Sequence, residues 1–147
     1  MTAGDWVADA LRAAPVARLG TVDAHGAVRL VPICFAVVDR WLVSAVDHKP
    51  KRRGRLGRLD DIEATGTATV LLDHYEEDWS RLWWIRIRGR AVVHRRHPGD
   101  PGDVLIDEAV RALVAKYAPY RERPPAGDVY RIALDEVSSW RASDPAI

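Results

Sequence analysis

A mainly β (α+β) fold is predicted for this chain of 147 residues, with an antiparallel, barrel-like sheet of six to seven strands and flanking helices. The predicted elements run in the order helix, three strands, short helix, two strands, helix, strand, and short turns join most of the strands. A doubly wound fold would instead alternate strands with helices. The length suits one domain spanning residues 1–147, which is long enough to bury a core without disulfides.

The first half of the chain supplies three of these strands. A helix with apolar residues at helical spacing covers residues 5–14 and stops at Pro15. Strand patterns follow at residues 16–22, 28–38 and 41–46. Pro32 has no N–H to donate, so it predicts a sheet edge, a bulge, or a point where another group approaches the backbone. A short helix is predicted within residues 51–63, where leucine and isoleucine recur every three residues.

The second half begins with a strand at residues 68–74 and an acidic loop at residues 75–80. The long strand 82–93 alternates apolar and charged side chains, as a half-buried strand requires. An amphipathic helix follows, for which Asp103 is the predicted N-cap and Pro119 the end. A proline-rich loop at residues 119–127 then leads into a final strand at residues 128–140.

Positive charge is concentrated in one segment, residues 47–58. Six of the ten residues from Lys49 to Arg58 are basic, and none is acidic. The rest of the chain carries 16 basic and 21 acidic residues. This asymmetry indicates an anionic partner bound at one place, and the acidic remainder disfavours general coating of nucleic acid.

The chain lacks the residue patterns of several classes of enzyme and binding protein. No G-x-S-x-G elbow is present, and Cys34 lies in an apolar strand, where an inert buried thiol is expected. The five histidines show no metal-ligand spacing, so no metal site is predicted, and no Walker or G-x-G-x-x-G motif occurs. With a single cysteine, no apolar run of about 20 residues and no signal peptide, a cytoplasmic protein that does not enter the membrane is expected.

The basic segment lies between a strand end and a helix start, where backbone N–H groups and the helix dipole favour an anion. Small residues, Ser44 and Ala45, precede it in the strand. The neighbouring strand offers Val31, Pro32 and Ile33, which suit the side of a flat ring. A phosphate cradle beside a planar apolar platform is typical of a site for a flavin-type cofactor.

Taken in order, five stretches resemble the pyridoxamine 5′-phosphate oxidase-like superfamily of split β-barrel flavin and deazaflavin proteins: residues 17–22, 30–35, 46–51, 79–89 and 137–140. The resemblance covers about residues 6–142. Within the superfamily, the chain most resembles the short oxidoreductases that use coenzyme F420, a deazaflavin with a phosphate and an oligoglutamate tail.

The resemblance implies roles for particular residues. Lys49 and Lys51 would hold the cofactor phosphate, while the strands around 31–33 and 44–45 would flank the ring. It also implies a homodimer in which each site takes residues from both subunits. The partner's contribution would come from Trp79, Ser80 and Trp84. Pyridoxamine phosphate oxidases carry a glutamine near the position of Trp84 and a basic C-terminal segment. This chain has a tryptophan there and a different tail, which argues against pyridoxamine oxidation.

The leading hypothesis is therefore an F420-dependent oxidoreductase that transfers hydride between the cofactor and an unsaturated small organic substrate. Lys51, Arg52, Arg55 and Arg58 provide more cations than one phosphate needs, which favours the carboxylates of the F420 tail. The alternatives are an FMN-binding oxidase or reductase of the same fold and a non-catalytic carrier of F420 or a flavin. Tyr75, His74 and Tyr130 are possible proton donors, although a buried structural role is expected for each, so no catalytic acid or base is assigned. The sequence does not identify the substrate.

Overall fold

The computed structural model describes residues 5–46, 57–97 and 102–144. The helices described there are α1 (Asp5–Ala13), α2 (Gly57–Thr65), α3 (Val104–Lys116) and α4 (Ala118–Glu122). The strands are β1 (Ala17–Val22), β2 (Val28–Ile33), β3 (Ala36–Val38), β4 (Trp41–Ala45), β5 (Thr67–His74), β6 (Trp83–His94), β7 (Val129–Ala133) and β8 (Glu136–Arg141). A single 3₁₀ turn, Trp79–Arg81, precedes β6.

The long strand β6 organises the sheet. Antiparallel pairing orders the strands β2-β1-β5-β6-β7-β4-β3, and β8 pairs with β6 as well. The first part of β6 lies between β5 and β8, whereas its end, from Ala91 to His94, pairs with β7. One strand therefore belongs to two sheets, and together they form a split β-barrel. This arrangement confirms the predicted antiparallel, barrel-like fold, and the edge position of β2 explains why Pro32 is tolerated there.

Two clusters of apolar side chains form the core. The larger one lies within the barrel and is closed by α2; its fully buried members include Leu19, Leu59, Leu72, Ile85 and Ile87. The smaller one lies between α3 and the sheet formed by β3, β4 and β7, and includes Val43, Leu113 and Val129. Burying one such aliphatic side chain stabilises a fold by about 1.5–3 kcal/mol.

The predicted strand 28–38 is wrong in one respect, because Cys34 and Phe35 divide it into β2 and β3. The two pieces join different sheets, since β2 pairs with β1 and β3 pairs with β4. Side chains distant in sequence hold the break. Ser44 Oγ donates to the carbonyl oxygen of Cys34 at 2.6 Å, and the N–H of Phe35 donates to Tyr117 Oη at 3.0 Å.

The predicted strand 128–140 is likewise two strands, β7 and β8, separated by Leu134 and Asp135. They pair with different parts of β6, so the chain must turn where it crosses that strand. Asp135 fixes the turn by accepting hydrogen bonds from the backbone N–H and the guanidinium of Arg90, each at 3.0 Å. These bonds lower the pKa of Asp135 to about 2.

The helix predictions hold with smaller corrections. The carboxylate of Asp103 accepts from the N–H groups of Leu105 and Ile106, which confirms the predicted N-cap of α3. That helix ends at Lys116, and Pro119 lies in the first turn of α4, inside the region predicted to be loop. Of the short helix predicted within 51–63, only the part from Gly57 lies in the described residues, where it forms α2.

Replacing Tyr117 by phenylalanine is expected to reduce the free energy of unfolding by about 1–3 kcal/mol, because the N–H of the fully buried Phe35 loses its acceptor. The Tyr117 hydroxyl also lies 3.0 Å from the carbonyl oxygens of Pro15 and Phe35, and burial raises its pKa to about 12. Urea unfolding measures the change. The control, Tyr75→Phe, removes the hydroxyl of a side chain that is 71% exposed and should change the stability by less than about 0.5 kcal/mol.

Candidate functional site

Arg29 of β2 reaches across to the start of α2, where an ion pair holds its side chain in place. Its Nε donates to Asp61 Oδ2 at 3.0 Å, and Thr21 Oγ1 donates to the same oxygen at 2.7 Å. Asp61 is 5% exposed, whereas the side chain of Arg29 remains 46% exposed. The hydrogen bond to Asp61 raises the pKa of Arg29. The guanidinium is thus permanently charged, held by a buried carboxylate, and still open to solvent on one side.

Gly57, the first residue of α2, lets this cation approach the helix. A Cβ at Gly57 would lie 2.3 Å from Cζ of Arg29, a separation that real atoms do not reach. Arg29 therefore lies against the helix N-terminus, where unpaired N–H groups and the helix dipole also attract an anion.

A second arginine, Arg58, is the next residue of α2. Its guanidinium lies 5.9 Å from the ring centre of Tyr130. Its Nε is buried and has no hydrogen-bond partner in the part of the chain that the structure describes. An acceptor supplied by a bound anion would satisfy this donor. The remaining predicted cations, Lys49, Lys51, Arg52 and Arg55, lie outside the described residues, and their roles stay predictions.

Ion pairs of Arg95 connect the two flanks of the basic segment. On one flank, the N–H of Val46 donates to the carbonyl oxygen of Asp128 at 2.9 Å, and Arg95 Nη1 lies 3.2 Å from Asp128 Oδ2. On the other flank, Arg95 pairs with Asp60 at 3.6 Å and with Glu63, both in α2. The end of β4 and the start of α2 are thereby held in a fixed relation.

The three residues predicted to flank a cofactor ring from β2 differ in exposure. Ile33 is 6% exposed and belongs to the core, Val31 is half-buried, and Pro32 is exposed on the sheet edge. Of these three side chains, only those of Val31 and Pro32 present surface that a ring could contact.

Ser44 and Ala45 are buried, at 1% and 5% exposure, and the Ser44 hydroxyl is engaged with Cys34. Their side chains stabilise the interior of the protomer. Because these side chains face the interior, only the backbone of β4 could contact a ring at this position. That strand leads directly into the basic segment.

Trp79 and Ser80 lie in the 3₁₀ turn before β6. Asp78 caps this turn by accepting from the N–H and the hydroxyl of Ser80, at 3.1 and 2.6 Å, and these bonds lower its pKa. Trp79 projects from the turn and is 66% exposed. The structure thus presents Trp79 at the surface next to the strand that carries Trp84.

Trp84 lines a cavity of about 440 Å³ on the outer face of the sheet. The walls come from β5, β6, β8 and the connection between β5 and β6, and they consist of Leu71, Asp73, His74, Tyr75, Leu82, Trp83, Trp84, Arg86 and Trp140. We call this cavity the tryptophan hollow. Of its wall residues, Trp84 was predicted as a cofactor contact, and His74 and Tyr75 were named as possible proton donors. Both are exposed, so the buried structural role expected for them is wrong.

Arg29 and Trp84 lie on opposite sides of the sheet. Arg29 reaches Asp61 of α2 on the core side, whereas Trp84 and Arg86 alternate with the core residues Ile85 and Ile87 and lie on the outer side. Strands β1 and β5 separate β2 from β6, a distance of about 14 Å at the usual strand spacing. Within the described residues, one protomer therefore does not bring Arg29 and Trp84 into a single site.

Sequence reasoning missed Arg29 and Asp61. Arg29 lies two residues before Val31 on the same strand, so the period of two could have placed both on one face. Asp61 gave no such signal, because its partners Thr21 and Arg29 are 40 and 32 residues away in the chain.

The described residues carry neither a metal-ligand cluster nor a helix suited to a membrane. They contain no group of three or more histidine, cysteine, aspartate or glutamate residues that could hold a metal ion. None of their helices has the length and apolar character needed to cross a membrane.

A family profile described as pyridoxamine 5′-phosphate oxidase matches residues 4–141. No curated protein matches the chain. Among solved structures, the chain is similar to a conserved hypothetical protein from Mycobacterium tuberculosis, at 14% identity and a TM-score of 0.73, over 100% of this chain and 91% of that one.

Two further structures of this fold have stated ligands. A FAD-binding protein from Mesorhizobium loti is 19% identical, with a TM-score of 0.64, over 95% of this chain and 94% of that chain. The heme storage protein HutZ from Vibrio cholerae is 10% identical, with a TM-score of 0.70, over 96% and 95% of the two chains. At these identities the similarities establish the shared fold.

Proposed function

The chain belongs to the pyridoxamine 5′-phosphate oxidase family, and from that premise we propose that it is an F420-dependent oxidoreductase of the split-barrel type. It binds the deazaflavin cofactor at the interface of a homodimer and transfers hydride between the cofactor and an unsaturated small organic molecule. The single cysteine and the described helices, none of which could span a membrane, fit a cytoplasmic enzyme.

The cationic start of α2 carries this proposal. Arg29 is pinned there by buried Asp61, and Arg58 offers a buried Nε that lacks an acceptor among the described residues. Arg58 belongs to the same basic segment of the sequence as Lys49 and Lys51, and these cations together with Arg29 fit a cofactor phosphate. The cations in excess of one phosphate's need favour F420, because its oligoglutamate tail adds several carboxylates.

Exposed apolar side chains on the outer face of the sheet support the dimer. Val28, Leu30, Leu71 and Trp140 are 66, 73, 39 and 45% exposed, and Trp79 projects beside them. Several large apolar side chains exposed on one face of a sheet are typical of an interaction surface. A second copy covering it would bring Trp79, Ser80 and Trp84 of one subunit toward the basic group of the other, which one protomer alone does not achieve.

The bound deazaflavin supplies hydride chemistry that no amino-acid side chain provides. The described residues supply the binding and the orientation. Arg29 and Arg58 hold the anionic end, Val31 and Pro32 limit the position of the ring, and the covered aromatic surface excludes water.

An FMN-dependent oxidase or reductase is the second candidate, because the same Arg29 site fits the single phosphate of FMN. The similarity in fold to a FAD-binding protein supports a flavin-type cofactor in either case. A purified protein that is yellow and absorbs in the flavin bands would favour FMN. A third candidate, a non-catalytic carrier, has a precedent of the same fold in the heme storage protein and predicts tight binding without turnover.

Substituting Arg29 by glutamine is expected to weaken the binding of F420 about 10- to 100-fold, because a charge-assisted contact to the phosphate is lost. Lys51→Ala should weaken it in the same direction. The deazaflavin chromophore without phosphate and tail should bind both variants as it binds the wild type. Fluorescence titration of F420, FMN and the stripped chromophore measures all three affinities.

The matched control is Arg12→Gln, which removes an exposed arginine of α1 paired with Asp9 and should leave every affinity unchanged. Circular dichroism establishes that each variant is folded. Failure of the wild type to bind F420 at micromolar concentration contradicts the proposal, and tight binding of FMN in its place establishes the second candidate.

A further inference from the structure

We propose that the space between α1, β3 and α3 is a second ligand site, which binds an aliphatic monocarboxylate with its carboxylate against the ammonium of Lys116. This space is a cavity of about 710 Å³, which we call the helix cavity. It shares no wall residue with the tryptophan hollow and contains none of the residues predicted to contact the cofactor. The exposed apolar side chains of the proposed dimer face do not line it either. A ligand of the helix cavity therefore does not compete for the cofactor site.

Small apolar side chains leave the helix cavity open. Helices α1 and α3 both pack against β3. Seven of the ten wall residues are apolar, and four of these are alanines: Ala8 on α1, Ala36 on β3, and Ala112 and Ala115 on α3. The lining atoms of an apolar void lack partners on one side, so an aliphatic ligand that enters gains dispersion contacts.

Lys116, in the last turn of α3, holds a half-buried ammonium against the end of α1. Its Nζ lies 3.4 Å from the carbonyl oxygen of Leu11 and 3.7 Å from the ring centre of Phe35. The Leu11 carbonyl has no intrahelical donor, because Pro15, four residues further on, has no N–H.

The ammonium of Lys116 keeps donors for a ligand. It has three N–H groups, of which the Leu11 carbonyl takes one. The amine makes no other hydrogen bond within residues 5–46, 57–97 and 102–144. Since Lys116 is part of the wall, an acceptor inside the cavity can use the remaining donors.

No carboxylate compensates the charge of Lys116. The amine makes no ion pair in the part of the chain that the structure describes. Burial lowers its pKa to about 8, and the Cys34 thiol is the group that opposes this shift. A carboxylate near enough to neutralise the ammonium would raise the pKa as well, and none contributes. Because a pKa of about 8 lies above neutral pH, the amine is mainly charged at pH 7.

The other two charged residues of the wall do not change this balance. Arg12 pairs with Asp9 at 3.5 Å on the exposed side of α1. Asp39 belongs to the turn between β3 and β4, where it is exposed, so water hydrates its carboxylate. It has no effect on the pKa of Lys116.

Two further carboxylates are close in sequence to wall residues, but neither lines the cavity. Asp135 accepts hydrogen bonds from the guanidinium of Arg90, each at 3.0 Å. Glu108 precedes Lys116 by eight residues on α3, which is about 12 Å along a helix axis. Lys116 is thus the cation of the cavity that lacks a carboxylate, and the ligand would supply one.

The walls also restrict the body of the ligand. None of the ten wall residues is aromatic, so an aliphatic chain suits them better than a stacked ring system. The volume is within the range of about 300–1,000 Å³ for small-molecule pockets. One unpaired ammonium matches one carboxylate, whereas F420 and FMN carry a phosphate that matches the several cations near the start of α2.

Calorimetric titration of the purified protein with octanoate and with its neutral analogue octanamide tests the proposal. Wild type should bind both, and the acid more tightly. From butanoate through hexanoate to octanoate, the affinity should rise about fourfold for each added methylene, because each is buried against an apolar wall. An affinity that does not depend on chain length would overturn the aliphatic site, as would the absence of octanoate binding.

Lys116→Met keeps the aliphatic stem and removes the charge. It should lower the affinity for octanoate about tenfold or more and leave that for octanamide within about twofold. Since Lys116 also serves the Leu11 carbonyl, Ala8→Leu provides a second test that leaves the amine in place. Ala8 is exposed, so a leucine there can fill the cavity without repacking the core, and it should weaken both ligands. Circular dichroism establishes that each variant is folded.

The matched control is Arg12→Met, which removes the other cation of the same wall, one that already has Asp9 as its partner. It should change the affinity for octanoate by less than about twofold. Equal losses in Arg12→Met and Lys116→Met would overturn the assignment to Lys116. An equal loss of acid and amide binding in Lys116→Met would do the same.

Titration with the cofactors separates the second site from the proposed function. F420 and FMN should bind equally well with and without saturating octanoate, and Arg29→Gln should bind octanoate with wild-type affinity. Competition between octanoate and either cofactor would place the acid in the cofactor site and overturn the second site. A wild type that binds octanoate but neither cofactor keeps the second site and loses the proposed function.

Discussion

Replacing Gly89 by alanine is expected to prevent the chain from reaching its native fold. A Cβ at this position would lie 1.9 Å from the carbonyl oxygen of Ala133 and 2.8 Å from its carbonyl carbon. Both are backbone atoms at the end of β7, so no side-chain rotation relieves the overlap. Overpacking a core typically costs about 1–3 kcal/mol. A clash with backbone should exceed that range and consume much of a total stability of about 5–15 kcal/mol.

The backbone contact has its origin in the topology. Strands β7 and β8 pair with different parts of β6, so the connection between them crosses β6 close to Gly89. The bonds of Arg90 to Asp135 fix that connection and leave little freedom to move away. The two sheets of the split barrel thus meet at a position where only glycine fits.

Urea unfolding and the yield of soluble protein measure the effect of Gly89→Ala. The control is Gly20→Ala, also within a strand, where the new Cβ would lie 3.3 Å from Cδ2 of Leu30. That atom ends a flexible side chain, so the control should change the free energy of unfolding by less than about 1 kcal/mol. A Gly89→Ala protein with a stability within about 1 kcal/mol of wild type would show that the sheets do not meet as described.

The fold was predictable from the sequence wherever the deciding interactions are local. Alternation of apolar and charged residues identified β6, and the Asp103 cap identified the start of α3. The two strand breaks, at residues 34–35 and 134–135, were not predictable in this way. Each depends on which strand the next segment pairs with. At the first break the apolar pattern also continues from Ile33 to Val38.

In the candidate site, too, features set by neighbouring residues in the sequence were predictable, and features set by strand pairing were not. The basic segment was evident because like charges adjoin in the sequence, although Lys49 to Arg55 lie outside the described residues. Trp84 was named through the family resemblance, but its neighbour Trp140 was not, since the register between β6 and β8 brings them together.

Replacing Asp61 by alanine is expected to lower the free energy of unfolding by about 3–5 kcal/mol, the range for removing one partner from a buried polar pair. The carboxylate is 5% exposed and accepts from both Thr21 and Arg29. Without it, the hydroxyl of Thr21, a residue 2% exposed, is buried with no acceptor at Asp61. Thr21→Val alone should cost less, about 1 kcal/mol, because the donor is removed together with its hydrogen bond.

A double-mutant cycle isolates this interaction. The variant with both Asp61→Ala and Thr21→Val should be more stable than Asp61→Ala alone, because no hydroxyl is then left without a partner. Additive costs would contradict the hydrogen bond. The same variants also test the binding of F420, because Arg29 loses its ion pair whenever Asp61 is absent. Both variants that lack Asp61 should bind F420 more weakly than wild type, whereas Thr21→Val should bind it with wild-type affinity. If the affinity fell in proportion to the loss of stability in all three variants, the positioning role of Asp61 would be contradicted.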